Sequence, residues 1–495
     1  MRRTISVVAG LVLIIQMSSC TVKKTTRVDA PQVANPASEM IVGITTKAGE
    51  DLQFDPPGAL VRGRMLDANI SKKPYQISID EVQRFWIERE ETSTVRTVGL
   101  VAGIVVGTLV VVAIIIAATK ESCPFIYSWD GSKYVFDGEP FGGAITRGLE
   151  RDDYSELDQL RPDNGVYRLL IRNEVPETQF TNLMELVVAD HKSDRVAMDD
   201  TGKVHTLTSV RAPITAVDET GRNLLGWLAH KDKRILETEP ETDLSANVRQ
   251  DIRITFQKPL AATRAKLVVN GGTSLWGSYM IKAISALRGA DMESWYSSMD
   301  SDPSSTAALA AWNRREELFE LKIFVDEPTG WVQEGSVWGG GPFVLEDRVI
   351  ELDVSRLKGR ELDIRIQPPK GFWAFNSFGV DYDSDEPADL QILHPIEARD
   401  SSGRDRLQEI KAVDDLYYDM PNVGDQGTIS FKAPGEKPGM KRTVFLHSRG
   451  YYHLHMDPRA VADLRTLNSL LITPDAAARF AGLQFAAWQR EHRAP

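Results

Sequence analysis

Between Arg96 and Lys120 the chain runs for 23 residues, 97–119, without a charged side chain, and most of them are Val, Ile, Leu, Ala or Gly. At 1.5 Å per residue a helix of that length extends about 34 Å, enough to cross a bilayer core of about 30 Å. The alternative for such a run is a helix wholly buried inside a soluble domain, but more than 18 consecutive apolar residues seldom have another home than a membrane. Gly99, Gly103 and Gly107 recur every fourth residue. Four residues advance 400°, so the three glycines share one face on which a second helix can approach the backbone closely. The run therefore reads as a transmembrane-type helix with a self-association face, which implies membrane attachment and a homo-oligomer.

The run separates two parts of unlike charge. Residues 1–118 hold 13 Lys+Arg and 11 Asp+Glu, and residues 119–495 hold 45 and 59, so a part of charge +2 precedes a body of charge −14 in a chain of net −12. An acidic body is a poor partner for nucleic acid or anionic lipid. With 42% hydrophobic and 26% charged residues the composition is globular, and 495 residues suffice for two to four domains. Cys20 and Cys123 are the only cysteines, which excludes a disulfide framework and any metal centre built from thiolates alone.

The N-terminus has the form of an export signal: basic Met1-Arg2-Arg3, an apolar stretch from Thr4 to Met17 too short to span a bilayer comfortably, and small residues before Cys20. Met17-Ser18-Ser19-Cys20 resembles the lipobox of bacterial lipoproteins, with Met17 where that motif usually carries Leu. The resemblance implies that Cys20 is diacylated and becomes the mature N-terminus. An ordinary secreted protein in which Cys20 is incidental is the alternative. On this reading residues 1–19 are a lipoprotein signal peptide, and 20–39 are a lipidated, flexible polar tether carrying Lys23, Lys24, Arg27, Pro31 and Pro36. Residues 40–95, with five short β-like segments, form a small SH3- or Sm-like barrel, followed by the apolar helix 97–119. Charges flanking the helix do not decide the side of the membrane on which the body lies; an extracytoplasmic position is favoured.

The expected fold is mainly β with α insertions. Residues 123–272 are β-rich, 273–317 a helical insertion, 318–455 a jelly-roll-like β-sandwich and 456–495 C-terminal helices. Phe125, Tyr127 and Trp129 alternate, as do Tyr134 and Phe136, across a turn at Asp130-Gly131, which predicts a hairpin with an aromatic face. Asp302 before Pro303 reads as an N-cap and N1 pair, and Asp457-Pro458 and Thr473-Pro474 read likewise at the C-terminal helices. The hairpin, with Gly142-Gly143-Ala144-Ile145, Gly148 to Tyr154 and Thr443 to Tyr452, resembles a family of uncharacterised bacterial envelope lipoproteins and related repeat-containing proteins. The resemblance implies a β-rich extracytoplasmic module without an assigned activity and supplies no catalytic residues.

Candidate chemistry is sparse. Asp381, Asp383 and Asp385 alternate as the first ligands of a calcium loop do, but Glu386 stands at position six and Ile392 at position twelve, so a solvated acidic loop is the better reading. His447, His453 and His455 read as surface histidines. Glu150, Asp152 and Asp153 have no separation that sequence can assign to a glycosidase pair. Trp331, Trp338 and Trp373 could stack on sugar faces. The function expected is binding or scaffolding in the bacterial cell envelope, with another envelope protein or a glycan as partner and no cofactor. Carbohydrate binding through these tryptophans is the first alternative and a hydrolase with a dispersed site the second.

Overall fold

A computed structural model describes residues 21–92 and 124–492, apart from short gaps at 31–32, 34–35, 37–38, 49, 56–57, 71 and 244. The chain is mainly β, 43% strand and 19% helix, in several sheets. Cys20, Cys123 and the apolar run with Gly99, Gly103 and Gly107 lie outside the described residues. Among the described residues no helix is long and apolar enough to cross a membrane.

Residues expected as a tether are in part a strand: Thr21–Asp29 pairs antiparallel with Val82–Thr92 in register Thr21↔Thr92 to Asp29↔Arg84. The hydrogen-bonded order is Thr21–Asp29, Val82–Thr92, Met40–Thr46, Asp51–Gln53. A separate three-stranded sheet runs Leu60–Arg62, Met65–Ile70, Lys73–Ser78. Ile41, Ile44, Phe54, Leu66 and Phe85 form the core between them. Among the described residues the two sheets are joined by the isolated bridge Ile41↔Ala59 rather than by a full strand pairing, so the expected barrel is not closed.

The body holds two sandwiches, one nested in the other. The first has a sheet ordered Arg151–Glu156, Lys441–Leu454, Glu177–His191, Asp389–Leu393, with Tyr418–Met420 also on Glu177–His191. Its facing sheet runs Glu397–Asp400, Gln426–Lys432, Val166–Arg172, Phe125–Trp129, Tyr134–Gly138. Alternate residues of the two sheets, among them Leu169, Ile171, Leu186, Ile429 and Leu446, meet in a shared core. After His191 the chain leaves this sandwich, builds the second, and returns at Asp389.

The second sandwich packs a six-stranded sheet, ordered Val204–Leu207, Arg195–Met198, Glu346–Asp353, Arg264–Thr273, Trp373–Asp381, Leu236–Glu237, over a five-stranded one, ordered Thr215–Val217, Ile252–Gln257, Glu361–Ile366, Glu320–Glu327, Gly330–Trp338. Its strands therefore come from both sides of the helical segment. Helices Leu275–Ala286, Met292–Ser301 and Pro303–Glu316 lie between, and the Asp302 side chain accepts from the Ser304 amide at the start of the last. The C-terminal helices are Leu464–Ile472 and Ala476–His492. The first starts later than Asp457-Pro458 suggests, because Asp463 caps it through the Thr466 amide, while 460–463 bond back to the helical segment through Ala290 N to Ala460 O and Asp463 N to Leu287 O. Leu467, Leu470, Ala477 and Ala481 join Met280 and Ile284 in the core of the second sandwich.

Three turns repeat one design. Asp199-Asp200-Thr201-Gly202-Lys203, Asp218-Glu219-Thr220-Gly221-Arg222 and Asp400-Ser401-Ser402-Gly403-Arg404 each use the first Asp Oδ1 to accept from the amide and hydroxyl two residues on and from the amide four residues on. The glycines sit at φ 82°, 79° and 82°, a left-handed conformation that favours Gly. The first of these turns reaches out of the second sandwich onto the first.

Candidate ligand-binding pocket

Where the sandwiches meet, Val187, Ala189 and Phe445 of one pack with Val196 and Met198 of the other. Strand Arg151–Glu156 edges this seam, and its pairing with Lys441–Leu454 sets Asp152 opposite Arg449 and Tyr154 opposite His447. The Tyr154 and His447 rings stack at 4.5 Å. Beside the seam lies a pocket of about 290 Å³, lined by Glu150 to Tyr154, Asp199, Asp200, Trp338, Arg348 and Arg449. Both sandwiches contribute to it, and its size suits a group of roughly one sugar ring rather than a drug-sized ligand.

Most of its charges are already engaged. Arg348, 7% exposed, donates to the Tyr154 carbonyl and to Asp153 at 3.1 Å, and is ion-paired with Glu346 at 2.5 Å. Asp153 also accepts from the Phe141 and Tyr154 amides. Glu150 accepts from Asn182 and the Tyr417 hydroxyl, each at 3.1 Å, and Asp152 from Arg449 at 3.0 Å. Such pairing is what keeps carboxylates and guanidiniums at a partly buried seam from costing stability.

The pocket holds carboxyls of unlike strength. Asp200 stands at the exposed rim; the protein around the pocket, with Asp153 adding to it and Arg348 opposing, pushes its carboxyl up to about 6, and solvent at the rim screens that push. Burial also raises Asp199, but hydrogen bonds from Thr201, His205 and backbone amides outweigh it and hold Asp199 below the usual range. Burial lowers His447, yet hydrogen bonds to Glu185 at 2.8 Å and Asp152 at 3.0 Å leave it raised overall.

The sequence candidates scatter. Trp338 lines the pocket, half-buried, with the Arg151 guanidinium 4.8 Å from its ring centre. Trp331 occupies the other end of the same strand, about 23 Å away at ~3.3 Å per residue, beneath Arg253 and Arg365. Trp373 is 2% exposed and donates to the Glu317 carbonyl at 2.7 Å, so it offers no face to a sugar. The three expected stacking tryptophans therefore do not form one platform. The three aspartates differ in setting: Asp383 and Asp385 lie on an exposed acidic loop, and Asp381 does not. Asp381 is fully buried and accepts from the Thr208, Ser209 and Asp383 amides, Asp383 accepts from the Thr208 hydroxyl, and Asp385 faces His205 and Lys266. The histidines part as well: His453 stacks on Tyr296 at 3.9 Å and His455 bonds Thr178. Of the carboxylates considered earlier, Glu150, Asp152 and Asp153 do meet in the pocket. Asp199, Asp200 and Arg348 were missed; only the turn motif of Asp199 had a sequence signal.

No protein-family model matches the chain, and no curated protein does. Among solved structures, one match is a chain described as "The Triple Jelly Roll Fold and Turret Assembly in an Archaeal Virus", 7% identical over 68% of this chain and 91% of that one, with a TM-score of 0.13. At that TM-score the likeness carries no inference.

Proposed function

We propose that the chain is a lipid-anchored protein of the bacterial cell envelope whose body is a binding module, with the seam pocket recognising a hydroxyl- or amine-bearing glycan. The observation that carries the binding reading is the pocket lining: a half-buried Trp338 and Tyr154 beside five carboxylates and three guanidiniums, Glu150, Asp152, Asp153, Asp199 and Asp200 against Arg151, Arg348 and Arg449. An aromatic face with planar, bidentate hydrogen-bonding groups suits a ring bearing several hydroxyls, and the net of two negative charges disfavours an anionic ligand. The anchor rests on the sequence: the export signal, Cys20 as the acylated residue, and the run 97–119, with Gly99, Gly103 and Gly107 associating copies of the chain. One finer fold reading belongs to the same proposal: the strands of the jelly-roll expected over 318–455 are divided between the two sandwiches, and the non-consecutive strand orders of both are of the kind that jelly-roll crossovers produce.

A panel of immobilised neutral, amino and acidic oligosaccharides, probed with the full chain, tests the reading. Neutral or amino sugars should be retained, Trp338→Ala should weaken binding by about thirtyfold, as loss of an aromatic anchor does, and Trp331→Ala should bind as the parent does. Retention of acidic sugars alone, or equal loss in both variants, rejects it. The convergence of Glu150, Asp152, Asp153, Asp199 and Asp200 on one pocket favours one second reading, a glycan hydrolase with Asp200 as the proton donor. It requires new reducing ends to appear with the parent and not with Asp200→Asn.

A further inference from the structure

Behind the pocket wall, His205, Glu351 and Asp385 bring one imidazole nitrogen and two carboxylate oxygens within 4.8 Å of one another. The sheet places them. His205 lies on the edge strand Val204–Leu207, Glu351 on Glu346–Asp353, and Asp385 just beyond Trp373–Asp381. His205 is fully buried, and its Nδ1 stands 3.2 Å from Asp385 and 3.7 Å from Glu351. Two ligand atoms at ~2.0–2.1 Å from a tetrahedral zinc-class ion lie about 3.3 Å apart, close to the separations of His205 Nδ1 from the two carboxylates.

Asp199 fixes the orientation of the ring. Asp199 Oδ1 is taken up by its own turn, which leaves Oδ2 facing His205 Nε2 at 3.0 Å. With Nε2 set against Asp199, the ring turns Nδ1 toward Asp385 and Glu351, the side on which an ion would sit. Asp199 then has the role of the carboxylate that orients a ligating histidine from behind.

Charge agrees. Asp199, Glu351, Asp381 and Asp385 carry four formal negative charges around Lys203 and Lys266, which carry two positive ones. Lys266 bonds Asp385 Oδ1 at 3.1 Å, so Oδ2 is the oxygen that faces His205 Nδ1 and Lys203. Lys203, half-exposed, reaches Glu351 at 2.5 Å and Asp385 at 3.9 Å, so its ammonium holds the place of a cation and can swing aside.

We propose that His205, Glu351 and Asp385 bind one divalent ion of the zinc class in competition with the Lys203 ammonium, tying the Asp199 turn to the sheet. The imidazole ligand selects a transition ion over calcium or magnesium. Calorimetric titration of the chelator-stripped full chain with zinc chloride tests it, with cobalt chloride absorbance as a second readout. The expected result is one saturable site, weakened at least tenfold by Glu351→Gln and tightened by Lys203→Met, with the cobalt band lost in Glu351→Gln. Both substituted side chains are about half exposed, so both variants should fold. Absence of saturable binding, zinc affinity unchanged in Glu351→Gln, or weaker binding in Lys203→Met overturns the proposal.

Discussion

Gly202 presses against Tyr154: a Cβ built on the glycine would meet the phenol ring at 2.5 Å, across the seam between the sandwiches. Gly221 has nearly the same φ in the same kind of turn, with nothing within 4 Å of its would-be Cβ. Gly202→Ala should therefore lose about 1–3 kcal/mol more than Gly221→Ala, since both share the left-handed backbone cost and only one also displaces Tyr154. Urea unfolding midpoints of the two variants measure the difference. Equal losses would mean that the turn does not bind the sandwiches together.

His453 should act as an acid-sensitive latch. Its ring stacks on Tyr296, its Nε2 has no hydrogen-bond partner among the described residues, and burial pushes the imidazole down to about 4. The folded protein thus prefers the neutral ring. The stability this gives is present above about pH 6.5 and is lost as pH falls toward 4, at most about 3 kcal/mol. His453→Phe keeps a stacked ring and cannot titrate, so its stability should fall less between pH 7 and 4 than that of the parent. Parallel pH profiles would contradict this.

His447 should have the opposite sign. Held between Glu185 and Asp152, it has a folded pKa above its unfolded value, so its contribution is complete below about pH 6.5 and fades as pH rises through the folded value. The stability advantage of the parent over His447→Gln should shrink between pH 6 and 9, as read from denaturation midpoints. An advantage that grows with pH would show that the carboxylates do not hold the charged ring.

Cys20 should carry the lipid. Metabolic labelling with a fatty acid should mark the parent and not Cys20→Ser, and the variant should accumulate as the uncleaved precursor. A labelled and normally processed Cys20→Ser protein would remove the lipoprotein assignment.

Local features were the legible ones. Asp302 before Pro303 marks a helix start, and the alternation of Phe125, Tyr127 and Trp129 marks a strand, because each signal is written within a few residues. The D-x-[ST]-G-[KR] turns were equally local, but they repeat at irregular spacing, so a search for periodic repeats passes over them. What periodicity could not reveal was pairing at a distance. Glu177–His191 lies against Lys441–Leu454, with a whole sandwich inserted between them in sequence, and the core of a nested sandwich looks the same in sequence as that of two sandwiches in a row. The pocket was hidden for the same reason. Glu150 and Asp152 stand in sequence as isolated carboxylates, and Asp199, Trp338 and Arg348 of the second sandwich become their neighbours only when the two sandwiches dock. Trp373 misleads because an aromatic residue on a strand reads alike whether it faces solvent or the Glu317 carbonyl.

The central claim, a recognition site assembled from both sandwiches, is tested most directly by hydrogen–deuterium exchange of the full chain with and without the best-retained oligosaccharide. The account predicts slowed exchange together at residues 150–154, at the 199–203 turn and around Trp338. Protection confined to one sandwich, or centred on Trp331, would contradict it.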